Sequence, residues 1–282
     1  MPDPIVLSHV QAAPLLRARQ QGAGSVAVSL DLGLTDSDVS LAPEGVVLPG
    51  GQWLPWEDVE EIAASETACF LVTDNAAEKI QRFSGFLNRF YSLMPTERAP
   101  TLLVSGIPMH RIQGTTPDRD TLAKIRAVAP LTGRVLDTCT GLGYTAIEAA
   151  KTAEQVVTIE LDPAVLEVAR LNPWSRALFD NPKIRQVVGD AFDEIAEFED
   201  ESFSRIIHDP PRFSLAGELY SGEFYRDLFR VLARKGRLFH YIGDPDSRSG
   251  RNVMRGVMRR LQEAGFSRIV RKPGAFGVLA IK

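Results

Sequence analysis

The sequence predicts an α/β chain. A small, mostly β domain over residues 1–114 precedes a seven-stranded, largely parallel sheet with helices on both faces over residues 115–282. Three observations predict it. From about residue 115 apolar β-like runs alternate with helical runs, the rhythm of a parallel sheet with helical crossovers. Before that point short β-like runs are broken by Pro and Gly without such a rhythm. The chain also ends in two β-like runs joined only by Lys272-Pro273-Gly274-Ala275, too short for a crossover, so they form an antiparallel hairpin at one edge.

In the first part, residues 6–20 read as one helix, followed by strands at 25–32, 39–41, 46–48, 68–73 and 101–107. Pro43, Gly45, Pro49, Gly50 and Gly51 separate them as hairpin turns do, and Trp56 opens a short helix behind Pro55. In the second part, 121–129 is a helix stopped by Pro130 and Gly133. Strands follow at 134–137, 155–159, 184–188, 203–208, 237–242, 267–271 and 277–281, and helices at 145–151, 164–171, 193–198, 222–233 and 251–264.

Composition narrows the function. Hydrophobic residues make up 44% of the chain and charged residues 24%, yet no apolar run reaches the length of a bilayer span, so no membrane role is expected. The opening residues carry no basic stretch before an apolar core. Cys69 and Cys139 stand far apart, which points away from a disulfide framework and toward a cytoplasmic location. Residues 1–95 hold 12 acidic and 5 basic side chains, a net of −7, while residues 96–282 hold 24 and 27, a net of +3. An acidic front half argues against a duplex-wide basic footprint and suits either a cationic substrate or a plain solvated surface. Arg251, Arg255 and Arg259 recur every four residues, which makes one helix face basic. That face could grip RNA phosphates, although a solvated face is the plainer reading. A free β edge in the first domain could pair with a second copy.

The chemistry concentrates in Val135-Leu-Asp-Thr-Cys-Thr-Gly-Leu-Gly-Tyr-Thr-Ala146. A buried strand ends at Asp137, a helix begins near Thr145, and Gly141 and Gly143 between them let the backbone approach a ligand. Glu160 lies nineteen residues past Gly141, at the end of the next strand, where a carboxylate accepts both hydroxyl protons of a ribose. This spacing also satisfies a dinucleotide pattern. Against it, a carboxylate at Asp137 would repel a pyrophosphate but hold a cationic amino-acid group. Asp190, after the third strand, can accept from an adenine amine or cap the next helix. His208-Asp209-Pro210-Pro211 ends the fourth strand beside the switch point where open α/β sheets bind ligands.

Taken together, Val-Leu-Asp-x-x-x-Gly-x-Gly, Ile-Glu160-x-Asp162, Gly189-Asp190-Ala191 and Asp209-Pro210-Pro211 resemble a class I S-adenosylmethionine-dependent methyltransferase over roughly residues 115–282. More closely, "DTCTGLGYTA", "LNPWS" and "IIHDPPRFSLAGELYSGEFY" resemble a group of predicted archaeal and bacterial methyltransferases. The resemblance implies a Rossmann-like fold and S-adenosylmethionine as cofactor. It places Asp137, Gly141 and Gly143 at the methionine end, with Thr138 and Tyr144 beside them. Glu160 and Leu161 fall at the ribose, and Asp190 with Ala191 at the adenine. Cys139, inside the loop, reads as a packing residue.

Asp209 is the candidate for orienting the acceptor and handling its proton. Methyltransferases acting on base amines carry an aromatic residue after Asp/Asn-Pro-Pro. Here Arg212 takes that place with Phe213 after it, which suits a carboxylate or phosphate on the substrate. The stretch Ala216 to Tyr225 is also similar to the one that follows the catalytic aspartate of spermidine synthases, which carry a small N-terminal β domain. That second resemblance implies aminopropyl transfer from decarboxylated S-adenosylmethionine, with Asp209 deprotonating the attacking amine. The cofactor loop departs from theirs, so methyl transfer is the first expectation and aminopropyl transfer the second. A silent binding module is the third, and the acceptor is not specified. His208, Tyr220, Tyr225, His240 and Tyr241 are expected around the acceptor pocket, though each alone reads equally as a packed, hydrogen-bonded residue. No metal is expected, since no histidine pair has ligand spacing.

Overall fold

The computed structural model describes residues 4–244 and 246–282. Its contacts divide the chain into two compact units: Met1–Asp118 with Ala164–Arg176, and Arg119–Pro163 with Ala177–Lys282.

The first unit is β-rich. Strand Ile5–Leu7 pairs antiparallel with Phe70–Thr73, and that pairing moves the start of the expected first helix to His9. Ser8 caps this helix with a capping box to Gln11. Strands Ser25–Val28, Ser37–Ala42, Gly45–Val47 and Trp53–Pro55 form a four-stranded meander. Helix Trp56–Ala64 buries Trp56, Val59 and Ile62 in a core with Leu7, Leu15, Leu54 and Phe70. Strands Ala76–Lys79, Gln81–Ser84 and Arg89–Met94 were not legible. Glu78, Lys79, Gln81 and Arg82 keep that stretch polar, and backbone pairing rather than an apolar run makes it β.

The second unit holds a seven-stranded mixed sheet. Its strands are β1 (Arg134–Asp137), β2 (Gln155–Glu160), β3 (Ile184–Val188), β4 (Phe203–His208), β5 (Leu232–Tyr241), β6 (Arg268–Lys272) and β7 (Gly277–Ile281). The order is β3-β2-β1-β4-β5-β7-β6. The first five are parallel, and β7 inserts antiparallel between β5 and β6. This is the expected sheet with its terminal hairpin. The longer helices after residue 114 are α1 (Pro117–Val128), α2 (Tyr144–Ala150), α3 (Pro163–Leu171), α4 (Gly222–Val231) and α5 (Arg248–Glu263), of which α3 groups with the first unit from Ala164 on. β5 starts five residues earlier than its apolar pattern suggests. Leu232 turns extended after α4 and pairs with Phe203.

Leu136, Val157 and Ile206 in the sheet, with Phe224, Leu228, Val257 and Leu261 from α4 and α5, form the core. The strand order reverses between β1 and β4. The carboxyl ends of β1, β2 and β4, carrying Asp137, Glu160 and His208-Asp209, therefore lie around one crevice. Among the described residues no helix is long and apolar enough to cross a membrane.

Candidate active site

The turn after β1 is built from hydroxyls and backbone. Asp137 is fully buried and accepts from Thr158 Oγ1 at 2.7 Å and Thr145 Oγ1 at 3.1 Å. Burial pushes its carboxyl up to about 7, against the pull of those two donors. Asp137 thus organises the floor of the turn through Thr145 and Thr158.

Gly141 takes a φ of +53°, and a Cβ there would meet nothing within 4 Å. Its amide donates to Glu160 Oε2 at 2.8 Å, and the Asp162 amide donates to Oε1 at 3.1 Å. Burial raises the Glu160 carboxyl to about 7 despite these amides. Each carboxylate oxygen keeps a lone pair for a further hydroxyl.

Gly143, expected with Gly141 at the ligand, stands at the N-cap of α2 with φ +75°, and a Cβ would lie 2.7 Å from Leu178 Cδ2. Its missing side chain also makes room for Leu178, so this glycine has a packing reason of its own.

Asp190 Oδ1 accepts from Phe192 N at 2.8 Å and caps the short helix Ala191–Glu194. Its Oδ2 has no protein partner among the described residues. Ala191, Thr138 and Tyr144 are buried, and Leu161 is 37% exposed. Cys139 packs against the core, and burial holds its thiol well above the usual range.

Asp209 is not alone. Its Oδ2 accepts from Lys124 Nζ at 2.6 Å, and the same ammonium pairs with Asp120 at 2.9 Å. Lys124 Nζ also lies 4.4 Å from the Tyr241 ring centroid. The Lys124 and Asp120 side chains are 2% and 0% exposed, and Asp209 is 19% exposed. Burial alone would lower the Lys124 pKa, but Asp209 and then Asp120 outweigh it and hold the ammonium above its usual range. Burial raises Asp209, and the Lys124 charge pulls it partly back. Asp209 Oδ1 is left without a protein partner among the described residues.

Sequence reasoning missed Lys124 and Asp120. The signal was their place on α1. Asp120, Thr121, Lys124, Ala127 and Val128 form the buried stripe of that helix, so a charged pair sits where apolar residues belong.

Three of the expected pocket residues are instead structural. His208 is buried, with Nε2 donating to the Leu219 carbonyl at 2.9 Å, so Nδ1 accepts from Thr138 Oγ1 at 2.7 Å. Burial pushes His208 down to about 3, so it stays neutral. His240 is its register partner across β4 and β5, with ring centroids 4.4 Å apart and Nε2 2.8 Å from the Tyr225 hydroxyl. None of His208, His240 or Tyr225 presents surface to a substrate. Tyr220 is nearly buried and donates to the Pro211 carbonyl at 3.0 Å, fixing the Pro210-Pro211 turn. Arg212 and Phe213 are exposed, and Tyr241 is half-buried under Lys124.

Comparison with known proteins bears on the family and the fold. The uncharacterized protein MJ1233 of Methanocaldococcus jannaschii is 45% identical over 253 residues, covering 88% of this chain and 84% of that one. This chain belongs to the family of MJ1233. Residues 135–236 match the family model of a methyltransferase domain. A polyamine aminopropyltransferase of Mycobacterium tuberculosis is 38% identical over 100 residues, which are 33% of this chain and 19% of that protein. A spermidine synthase in complex with the transition state analogue AdoDATO superposes with a TM-score of 0.58 at 19% identity, over 71% of each chain. The fold is therefore the Rossmann-like one of class I methyltransferases and spermidine synthases.

Proposed function

We propose that the protein is a transferase that uses S-adenosylmethionine to methylate an amine. The observation that carries this reading is Asp209, with Oδ2 anchored on Lys124 and Oδ1 left for a substrate, at the crevice formed by the carboxyl ends of β1, β2 and β4.

The crevice suits an adenosyl sulfonium. A Cβ at Gly141 would occupy open space over the turn, Glu160 has acceptor capacity for a ribose diol, and Asp190 Oδ2 is available to an amine. Asp120, Asp137, Glu160 and Asp209 outnumber the single cation Lys124, which favours a positively charged ligand.

When bound, the sulfonium supplies an electrophilic carbon. The remaining tasks belong to the chain. Asp209 Oδ1 accepts an N–H of the acceptor amine, which aims the nitrogen lone pair, and takes the proton that the amine sheds on alkylation. Lys124 keeps Asp209 ionised for that purpose against the push of burial. The His208–Thr138 and Tyr220–Pro211 bonds hold the turn from both sides.

A second reading is aminopropyl transfer from decarboxylated S-adenosylmethionine. It is favoured by the 38% identical stretch and by the excess of carboxylates, because the decarboxylated form carries an additional uncompensated cation. The loop Asp137-Thr-Cys-Thr-Gly-Leu-Gly143 and the methyltransferase-domain match favour methyl transfer. Calorimetric titration with S-adenosylmethionine, its decarboxylated form and NAD separates the readings. Tighter binding of S-adenosylmethionine supports methyl transfer, tighter binding of the decarboxylated form replaces it, and preference for NAD ends both.

A further inference from the structure

The last 35 residues carry a charge that the active site does not use. Residues 248–282 hold nine basic side chains and one acid, Glu263, a net of +8 within a chain of net −4. Lys282 is paired with Glu201 at 3.4 Å; the other eight basic residues lie on α5 and on β6, the edge strand of the sheet. Met254, Val257 and Leu261 bury one side of α5 in the core, and Arg251, Arg255 and Arg259 are exposed on the other.

Their partners leave the charge uncancelled. Arg251 donates to the Asp246 carbonyl, Arg255 to Asn252 Oδ1 at 2.6 Å, and only Arg259 meets a carboxylate, Glu263 at 3.6 Å. Arg268 and Arg271 on β6 are exposed and have no carboxylate partner among the described residues. Neighbouring α4 is neutral, with Glu223 and Asp227 offset by Arg226 and Arg230.

Topology brings the two ends of this charge to the site, while Arg255, Arg259 and Arg268 lead away from it along the edge of the sheet. β4 and β5 run parallel with His208 opposite His240, so the start of α5, which follows β5, lies at the same end of the sheet as Asp209. β6 runs antiparallel to β7, which runs antiparallel to β5, so Arg271 and Lys272 finish at that end too. Exposed Arg212 and Phe213 follow Asp209 after Pro210-Pro211. The Phe213 ring is 51% exposed and held edge-on by Tyr220 at 5.4 Å.

We propose that this edge is a binding track for a single-stranded nucleic acid, whose base amine is the acceptor presented to Asp209. A row of exposed arginines with one weak carboxylate contact, Arg259 to Glu263, fits a chain of phosphates, and an exposed, braced aromatic ring near the reactive carboxylate fits an unstacked base. The base must leave any stack to reach a carboxylate that is 19% exposed, and a single strand avoids the unpairing cost that a duplex would add. The proposal rests on the transferase reading only for what happens at Asp209.

The test uses the full chain and a fluorescein-labelled strand of about 20 nucleotides, as RNA and as DNA, in anisotropy titrations at about 50 to 300 mM salt. The expected result is binding whose log K falls linearly with log salt. The Arg255→Glu/Arg259→Glu double variant should bind at least about tenfold more weakly, with a slope shallower by about 1.4, roughly 0.7 per lost phosphate contact. Its titration by S-adenosylmethionine should be unchanged. Preference for RNA or for DNA then names the source of the acceptor. A double variant that binds like the wild type overturns the proposal. So does a lack of binding at about 50 mM salt, or equally tight capture by phosphatidylserine vesicles through the same arginines. Loss of S-adenosylmethionine binding with strand binding intact would instead overturn the transferase reading alone.

Discussion

Lys124 is the residue on which the site turns. Its ammonium is closed off from water between Asp120, Asp209 and the Tyr241 ring. Removing one member of a buried ionic cluster leaves the others uncompensated, at about 3–5 kcal/mol. Lys124→Met should therefore lower the unfolding free energy at pH 7 by that amount, read as a lower urea midpoint at unchanged slope. The deficit should shrink toward pH 5, because burial already raises Asp209 and favours its protonation; a deficit that is constant with pH would show that lost packing, not uncompensated charge, is responsible. A second prediction concerns Glu160 and Asp137, both raised to about 7. Raised carboxyl pKa values stabilise the fold below their unfolded values near 4, and that stability is lost as pH rises to about 7. A ligand whose ribose wants Glu160 ionised must take up the Glu160 part of this difference. Affinity for S-adenosylmethionine should rise about tenfold from pH 6 to pH 8, with proton release visible as a buffer-dependent calorimetric enthalpy. Glu160→Gln should flatten the rise, and affinity that falls with pH would remove Glu160 from the ribose role. Asp137, Glu160 and Asp209 were legible because strand ends before a glycine turn and at a switch point limit what a carboxylate can do there. Lys124 was not legible, because a lysine on an amphipathic helix reads as solvated until its stripe is traced.

At the scale of elements, the strand-turn-helix unit from β1 to α2 divides its two glycines between binding and packing. Both occupy left-handed backbone, which costs a non-glycine residue about 1–2 kcal/mol. Gly143→Ala adds a methyl 2.7 Å from Leu178, so its loss of stability should exceed that of Gly141→Ala. Combining it with Leu178→Ala should recover the steric part, which a double-mutant cycle would measure as coupling. Gly141→Ala meets no protein atom and should lose only the backbone cost, while its methyl weakens S-adenosylmethionine binding at least tenfold. If the two substitutions swap effects, the division is wrong. The sequence marked the turn, since small residues between an apolar strand and a helix have few other uses. It could not tell the glycines apart, because the neighbour of Gly143 comes from residue 178, 35 positions away. His208 and His240 misled for a related reason. Strand ends at a ligand crevice suggest substrate contact, but the two side chains point into the layer covered by α4, where Thr138 and Leu219 satisfy His208 and Tyr225 meets Nε2 of His240.

At the scale of the molecule, the chain crosses between its compact units more than once. Residues 164–176 group with the first unit although they lie between β2 and β3 in sequence. Within that unit Trp174 Nε1 donates to the Leu32 carbonyl at 3.1 Å, Arg98 covers the Trp174 ring at 5.8 Å, and Arg82 pairs with Glu167 at 3.1 Å. Composition located the change of rhythm near residue 115, because rhythm is a local property. The return of one helix to the first unit is a long-range contact that periodicity does not carry. A cut at 114/115 would therefore take α3 and Trp174 away from Leu32, Arg82 and Arg98, and divide one unit rather than separate two. Residues 115–282 expressed alone should bind a hydrophobic dye and melt well below the full chain, which should unfold in a single transition. Co-expression with residues 1–114 should restore both properties, since the missing partners come back in trans. Circular dichroism melts and dye binding on the three preparations check this. A fragment 115–282 that melts like the full chain would show that residues 164–176 need nothing from the first 114.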